Sequence, residues 1–234
     1  LMYVYYVYKD DLLIFDLNNF WQSSRDIMHV GLPAILSNII GPVSMSVITR
    51  LLAGHGAVVV AGFSVASRIE TMFAMVMWAL SMSVAPFVGQ NWGAKYFKRV
   101  TRSLRIGNLF ALAWGVFSYL VLIVLGPFVI SLVNSDQEVI DAATVYLMIV
   151  PLGMGLMGVM SNCMSSFNAL GQPGPPFIMS VCQMIFLSIP FAILGDYLFG
   201  YHGIFAGGVL SILIIALVSY VWLKRNIRFG ELQG

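Results

Sequence analysis

Between Arg105 and Lys224 the chain carries no lysine and no arginine, and only four acids, Asp136, Glu138, Asp141 and Asp196. A soluble domain has about 25% charged residues to cover its surface. This chain of 234 residues has 9%, with 59% hydrophobic residues and a mean hydropathy of +0.89. Such a sequence satisfies its surroundings only if most of its surface faces lipid. In lipid every backbone polar group must be paired internally, which leaves helices or closed barrels. The apolar runs are about 20 residues or longer, the length of a spanning helix. The expected fold class is therefore all-α integral membrane.

Six runs have that length, over about 29–52, 57–88, 104–133, 139–168, 175–197 and 202–223. Residues 1–8, LMYVYYVY, read as the end of a truncated preceding transmembrane helix. Residues 9–28 mix charges with Phe15, Leu17, Phe20 and Trp21, and read as a linker on the membrane surface. The six-helix body covers 29–223, and 224–234 forms a tail.

Lysine and arginine are retained on the cytoplasmic side, so they orient the helices. The segment 89–105 holds Lys95, Lys98, Arg99, Arg102 and Arg105 and no acid, and the tail holds Lys224, Arg225 and Arg228. Both are expected to be cytoplasmic. The acidic loop 134–141 and the loop 195–202 are expected outside, and six crossings satisfy all four assignments. The expected location is the plasma membrane (a bacterial inner membrane), multi-pass, with both ends cytoplasmic.

Proline interrupts several runs, at Pro33 and Pro42, Pro127, Pro151 and Pro190, where it removes a donor and kinks a helix. Pro86 is expected to end the second run, with GQNWGA following as a polar turn. Small residues permit close helix approach. Gly153, Gly155, Gly158, Ser161 and Ser165 supply them in the fourth run, and Gly203, Gly207 and Ser211 in the sixth.

Arg68 and Glu70 lie inside the second run, where a charge costs about 2.5–3.5 kcal/mol on insertion scales. Two residues apart, they point in different directions, so each needs a partner on another helix. They line a substrate or ion cavity, or they form structural ion pairs; the sequence leaves both open. Asn38, Asn162, Asn168 and Gln183 are uncharged polar groups at membrane depth, each in need of a hydrogen bond. Asn38, Asn162 and Gln183 join the candidate cavity residues. Met72 and Met75 join them because flexible, polarisable side chains suit a surface that accepts many ligands, although packing or lipid contact would use the same residues.

His29, His55 and His202 are isolated in sequence, and no metal-ligand spacing, phosphate loop or catalytic set is present. Neither an enzyme nor a metal site is expected, and no cofactor. No basic stretch with interleaved aromatics suggests nucleic acid. Cys163 and Cys182 lie in apolar runs and read as small buried groups.

GLPAILSN at 31–38, VAGFSVASRIET at 60–71, APFVGQNWGAK at 85–95 and FNALGQPGPP at 167–176 resemble, in order and spacing, segments of the multidrug and toxic compound extrusion (MATE) transporters. The resemblance spans roughly 25–228 and covers that family's C-terminal lobe. It implies one six-helix lobe of a twelve-helix carrier, partnered by an N-terminal lobe, that exchanges small organic compounds, often cations, for H+ or Na+. It makes 9–28 the cytoplasmic connector between lobes, and Gly89, Gln90, Asn91 and Gly93 a family-signature turn. The NorM-type branch carries coupling acids on its seventh and tenth helices. Here the first falls near Gly41 and the stretch 142–168 has no acid, so the resemblance is closer to the DinF-type branch, with the main coupling-ion site in the N-terminal half. Two alternatives remain, a lipid-linked oligosaccharide flippase of the same superfamily and the membrane domain of an ATP-driven transporter.

Overall fold

A computed structural model describes residues 20–233; the side chains at 26, 29–34, 36–38, 229 and 231–233 are outside that description. Residues 1–8 and most of the 9–28 segment therefore lie outside the described residues. Those described form helices and short turns, with no strand among them. The helices are α1 (Phe20–Ala53), α2 (Ala57–Gly93), α3 (Phe97–Val133), α4 (Gln137–Ile149), α5 (Met154–Ala169), α6 (Gly174–Val181), α7 (Ile189–Phe199) and α8 (Tyr201–Gln233). A 3-10 turn, Val150–Gly153, joins α4 to α5, and a π-helical turn, Cys182–Ser188, joins α6 to α7. The eight helices thus make six rods.

Five rods are long and apolar enough to cross a membrane: Ala57–Gly93, Phe97–Val133, Gln137–Ala169, Gly174–Phe199 and Tyr201–Arg228. In the sixth, α1, the apolar stretch among the described residues is Ile39–Ala53. The rods alternate in direction. The α1–α2, α3–α4 and α7–α8 turns meet at one end, and the basic α2–α3 turn and the end of α8 meet at the other. At the first end His55 Nε2 lies 2.5 Å from Asp196 Oδ1, and the His55 ring meets Tyr201 edge-on at 6.0 Å. His55 is not isolated, as the sequence suggested, because antiparallel packing brings together turns far apart in the chain.

The helices outrun the sequence boundaries. Among the described residues α1 already includes 20–28, inside the segment read as linker; 20–28 contains no proline or glycine to stop a helix. α2 passes through Pro86 and continues to Gly93, so GQNWG is its last turn rather than a loop. Proline costs one backbone bond there, and the rest of the ladder is kept. Only Ala94, Lys95 and Tyr96 then separate α2 from α3, and Lys98, Arg99, Arg102 and Arg105 lie on α3 itself. Likewise α8 carries the helix into the tail. At Pro151 and Pro190 the disturbance is larger: the first sits in the 3-10 turn and the second two residues after the π-helical turn.

Two clusters form the interior. Leu52, Phe63, Leu122, Tyr146, Met154 and Phe205 belong to one, near the His55 end. Met77, Val88, Leu104, Cys163, Phe167 and Leu223 belong to the other, near the basic end. Small residues set the spacing between rods. A Cβ placed on Gly115 of α3 would collide with the backbone of Gly155 on α5, and one on Gly203 of α8 with the backbone of Gly195 on α7. Both are close backbone approaches of the kind that glycine permits in membrane bundles.

Candidate functional site

Glu70 on α2 faces α4, where the Tyr146 hydroxyl donates a hydrogen bond to Glu70 Oε2. Tyr146 is buried. Its ring meets Phe63 edge-on at 5.5 Å and Phe205 at 5.1 Å. The acid is therefore tied through one aromatic ring to α2, α4 and α8 together. Two carboxylate oxygens offer about four acceptor sites, and Tyr146 uses one of them. The half-buried acid thus keeps spare acceptors for a proton, an ion or a water. Tyr146 gave no sequence signal: a tyrosine in an apolar run becomes a partner only once α2 and α4 are packed.

Arg68, two residues earlier, is exposed on a different face. Among the described residues neither Arg68 nor Glu70 takes part in an ion pair; the pair that does occur is His55–Asp196. The structural ion-pair alternative for these two residues finds no partner in that set. Met72, Met75 and Met82 follow Arg68 along the same face at helical spacing and are 68%, 55% and 76% exposed. Trp78 is also exposed. α2 therefore presents an open stripe of one cation and flexible apolar side chains.

Deeper in the seam between α2, α3 and α5 lies a polar cluster. Ser81 Oγ is 2.9 Å from both Ser161 Oγ and Asn162 Oδ1. Asn162 Nδ2 donates to Asn108 Oδ1 at 3.2 Å. Asn162 is fully buried, so it joins three helices and stands behind the open surface. Towards the basic end, a cavity of about 500 Å³ opens between α2 and α5, lined by Ser81, Met82, Pro86, Gly89, Ser165 and Asn168 among others. It is largely apolar with a few hydroxyl and amide groups, the usual make-up of a small-molecule pocket. Ser81 and Asn108 were missed in the sequence, and Ser161 was read there only as a small packing residue, because a single serine or asparagine carries no polar signal until its partners are known.

The remaining candidates separate. Gln183 is buried in the π-helical turn, away from the α2 stripe in sequence and on a different rod. Asn38 lies on α1, with its side chain outside the described residues. The signature residues hold helix ends together. A Cβ on Gly89 would meet the Ala169 carbonyl at 3.2 Å. Asn91 Nδ2 donates to the Phe87 carbonyl at 2.8 Å. Trp92 packs edge-on to Phe97 at 5.0 Å and covers Gly230. Gln90 is exposed and Gly93 ends the helix. Among the described residues no group of three or more His, Cys, Asp or Glu side chains is placed to hold a metal ion.

The MatE family model matches residues 33–194. The chain belongs to the MatE family. It is 28% identical to a FAD transporter of Shewanella oneidensis over 211 residues, which cover 90% of this chain and 47% of that protein. It is 20% identical to the probable multidrug resistance protein NorM of Thermotoga maritima, again over 90% of this chain and 47% of the relative. The crystal structure of the Vibrio cholerae MATE transporter VcmN in its bent form superposes with a TM-score of 0.85 at 28% identity, covering 95% of this chain and 49% of that one. The chain thus spans about half the length of these relatives, and its fold matches one lobe of a MATE transporter. It is an integral membrane protein.

Proposed function

We propose that this MatE chain is the C-terminal lobe of a secondary-active exporter. With an N-terminal lobe it moves small organic compounds out of the cell in exchange for H+ or Na+, in the plasma membrane with both ends cytoplasmic. The observation that carries this reading is the α2 stripe on a MatE lobe: Arg68, Met72, Met75 and Met82 on an open face, with Glu70 held behind it by Tyr146. Methionines adapt their shape to different ligands at little cost, which suits a wall that accepts several compounds. The broken rods give such a lobe places to bend. The 3-10 turn at Val150–Gly153 lies in the rod that contains both Tyr146 and Asn162, and discontinuous helices commonly surround the sites of carriers.

A second reading concerns the cargo. The charge on the α2 stripe is a cation, and the neighbouring acid is hydrogen-bonded on another face. An anionic planar compound would find Arg68 a better partner than a cationic one. The resemblance to the Shewanella FAD transporter favours a flavin dinucleotide or a similar phosphate-bearing aromatic.

The test is efflux from cells that make the intact natural polypeptide, with sodium and proton gradients collapsed separately. Export is expected to stop when one of the two gradients is lost. Export that survives both collapses and stops on ATP depletion overturns the exchanger reading. Arg68→Gln separates the two cargo readings: it lowers export of a flavin dinucleotide and spares ethidium if the cargo is anionic.

A further inference from the structure

At the basic end of the bundle, α3 and α8 part over α5 and leave a groove of about 670 Å³. Its polar lining comes from two helical faces. Thr101, Arg105 and Asn108 follow each other on α3, and Tyr220, Lys224 and Arg228 on α8. These spacings of four and three, and of four and four, place each set along one side of its helix. Leu104, Leu223 and Ile227 supply apolar wall between them. Three cations face one space, and no acid among the described residues lines it.

One buried group points the same way. Asn108 is only 8% exposed. Its Oδ1 accepts from Asn162, whereas its Nδ2 donor finds no hydrogen-bond partner among the described residues. A buried donor left unpaired costs about 1–3 kcal/mol and calls for an acceptor. That donor is closed off from the open groove, so an acceptor reaches it only when the Asn108 side chain turns outward; there it would sit beside Arg105, Lys224 and Arg228, a setting that favours an anionic oxygen. The groove is also continuous with apolar surface. Leu109 on α3, and Leu217 and Val221 on α8, are exposed beside it. A molecule filling this space meets cations and an amide at the basic end and hydrocarbon along its length.

We propose that the α3–α8 groove is a binding site for an anionic phospholipid, whose phosphate lies between Arg105, Lys224, Arg228 and Asn108 and whose acyl chains lie along α3 and α8. Basic pockets between helices on the cytoplasmic side are a recurrent way of holding such headgroups. The site is distinct from the α2 stripe and does not depend on what the transporter carries. A bound lipid would brace α3 against α8 and, through the Asn162–Asn108 bond, steady the contact of α3 with α5.

The test uses the intact natural polypeptide in detergent, with bound lipid counted by native mass spectrometry and thermal stability followed in parallel. Phosphatidylglycerol is compared with phosphatidylcholine and with inorganic phosphate. The wild type is expected to retain phosphatidylglycerol selectively and to be stabilised by it. Each cation near an anionic headgroup is worth about fivefold in affinity, so Arg105→Gln/Lys224→Gln/Arg228→Gln should lose on the order of a hundredfold. All three side chains are exposed, so this variant tests binding rather than folding. Lys95→Gln/Lys98→Gln/Arg99→Gln removes the same charge from the same end outside the groove, and should lose little. Asn108→Ala, with the cations kept, should weaken phosphatidylglycerol several-fold and leave phosphatidylcholine unchanged. Equal losses in the two triple variants would mean general surface attraction and would overturn the site. Equal stabilisation by inorganic phosphate would overturn the lipid assignment in favour of a free-anion site. Retention of both lipids alike would overturn both.

Discussion

Replacing Tyr146 by phenylalanine removes one oxygen from the interior and leaves the ring that packs on Phe63 and Phe205. What changes is the hydrogen bond to Glu70. A hydrogen bond to a charged acceptor contributes about 1.5–3 kcal/mol, and the acid left behind is half-buried in a helix bundle. The expected loss is about 2 kcal/mol, or about 4–8 °C of thermal stability for a chain of this size. Glu70→Leu removes the acid and leaves a tyrosine hydroxyl to find another partner. The double variant Glu70→Leu/Tyr146→Phe replaces the pair by apolar groups of similar volume, and such replacements are often neutral. The double variant should therefore be more stable than the sum of the single losses, with a coupling of at least about 1 kcal/mol. The assay is a thermal unfolding series of the four proteins in one detergent. Additive effects, or no loss in Tyr146→Phe, would refute the idea that this bond ties α2 to α4.

Glu70→Gln keeps an acceptor for Tyr146 and removes the charge. Its stability should stay close to wild type while efflux falls by about tenfold or more; unchanged efflux with lowered stability assigns Glu70 a structural role. Asn162→Ala empties the centre of the Ser81–Asn162–Asn108 cluster and leaves buried partners unpaired. It should cost about 1–3 kcal/mol, more than Ser161→Ala in the same unfolding series. Gly115→Val drives a side chain into the Gly155 backbone and should cost about 1–3 kcal/mol or more, read as a lower yield of folded protein. Met72→Ala/Met75→Ala removes exposed side chains; it should leave stability unchanged and alter the relative efflux of substrates of different shape.

The rods were legible because two simple signals coincide along the chain. Long apolar runs name the spans, and the position of Lys95–Arg105 and Lys224–Arg228 against Asp136, Glu138 and Asp141 fixes which turns share an end. The small-residue positions were legible too: Gly155, Gly203 and Gly207 sit where rods approach closely. Helix ends were less so: nothing in 20–28 stops a helix that leaves the apolar region, and α2 runs through Pro86 and Gly89 before it ends at Gly93. The response to proline was not legible. Pro86 leaves α2 intact, whereas Pro151 and Pro190 accompany a 3-10 and a π-helical turn, because the outcome depends on what packs around the freed carbonyls. The partners of Glu70 and Asn162 escaped the sequence for the same reason. Tyr146 and Asn108 are ordinary residues of apolar runs until three helices meet.

The proposed role of this lobe requires that the open face of α2 line an aqueous cavity. The direct measurement is cysteine accessibility in the intact natural polypeptide in membranes, with Cys163 and Cys182 replaced by alanine. Met75→Cys should react with a membrane-impermeant maleimide supplied from both sides, and a transported substrate should slow the reaction. Leu109→Cys, on the apolar face of α3, should stay unlabelled. If Met75→Cys is as inert as Leu109→Cys, the α2 stripe faces lipid and the proposed cavity wall is wrong.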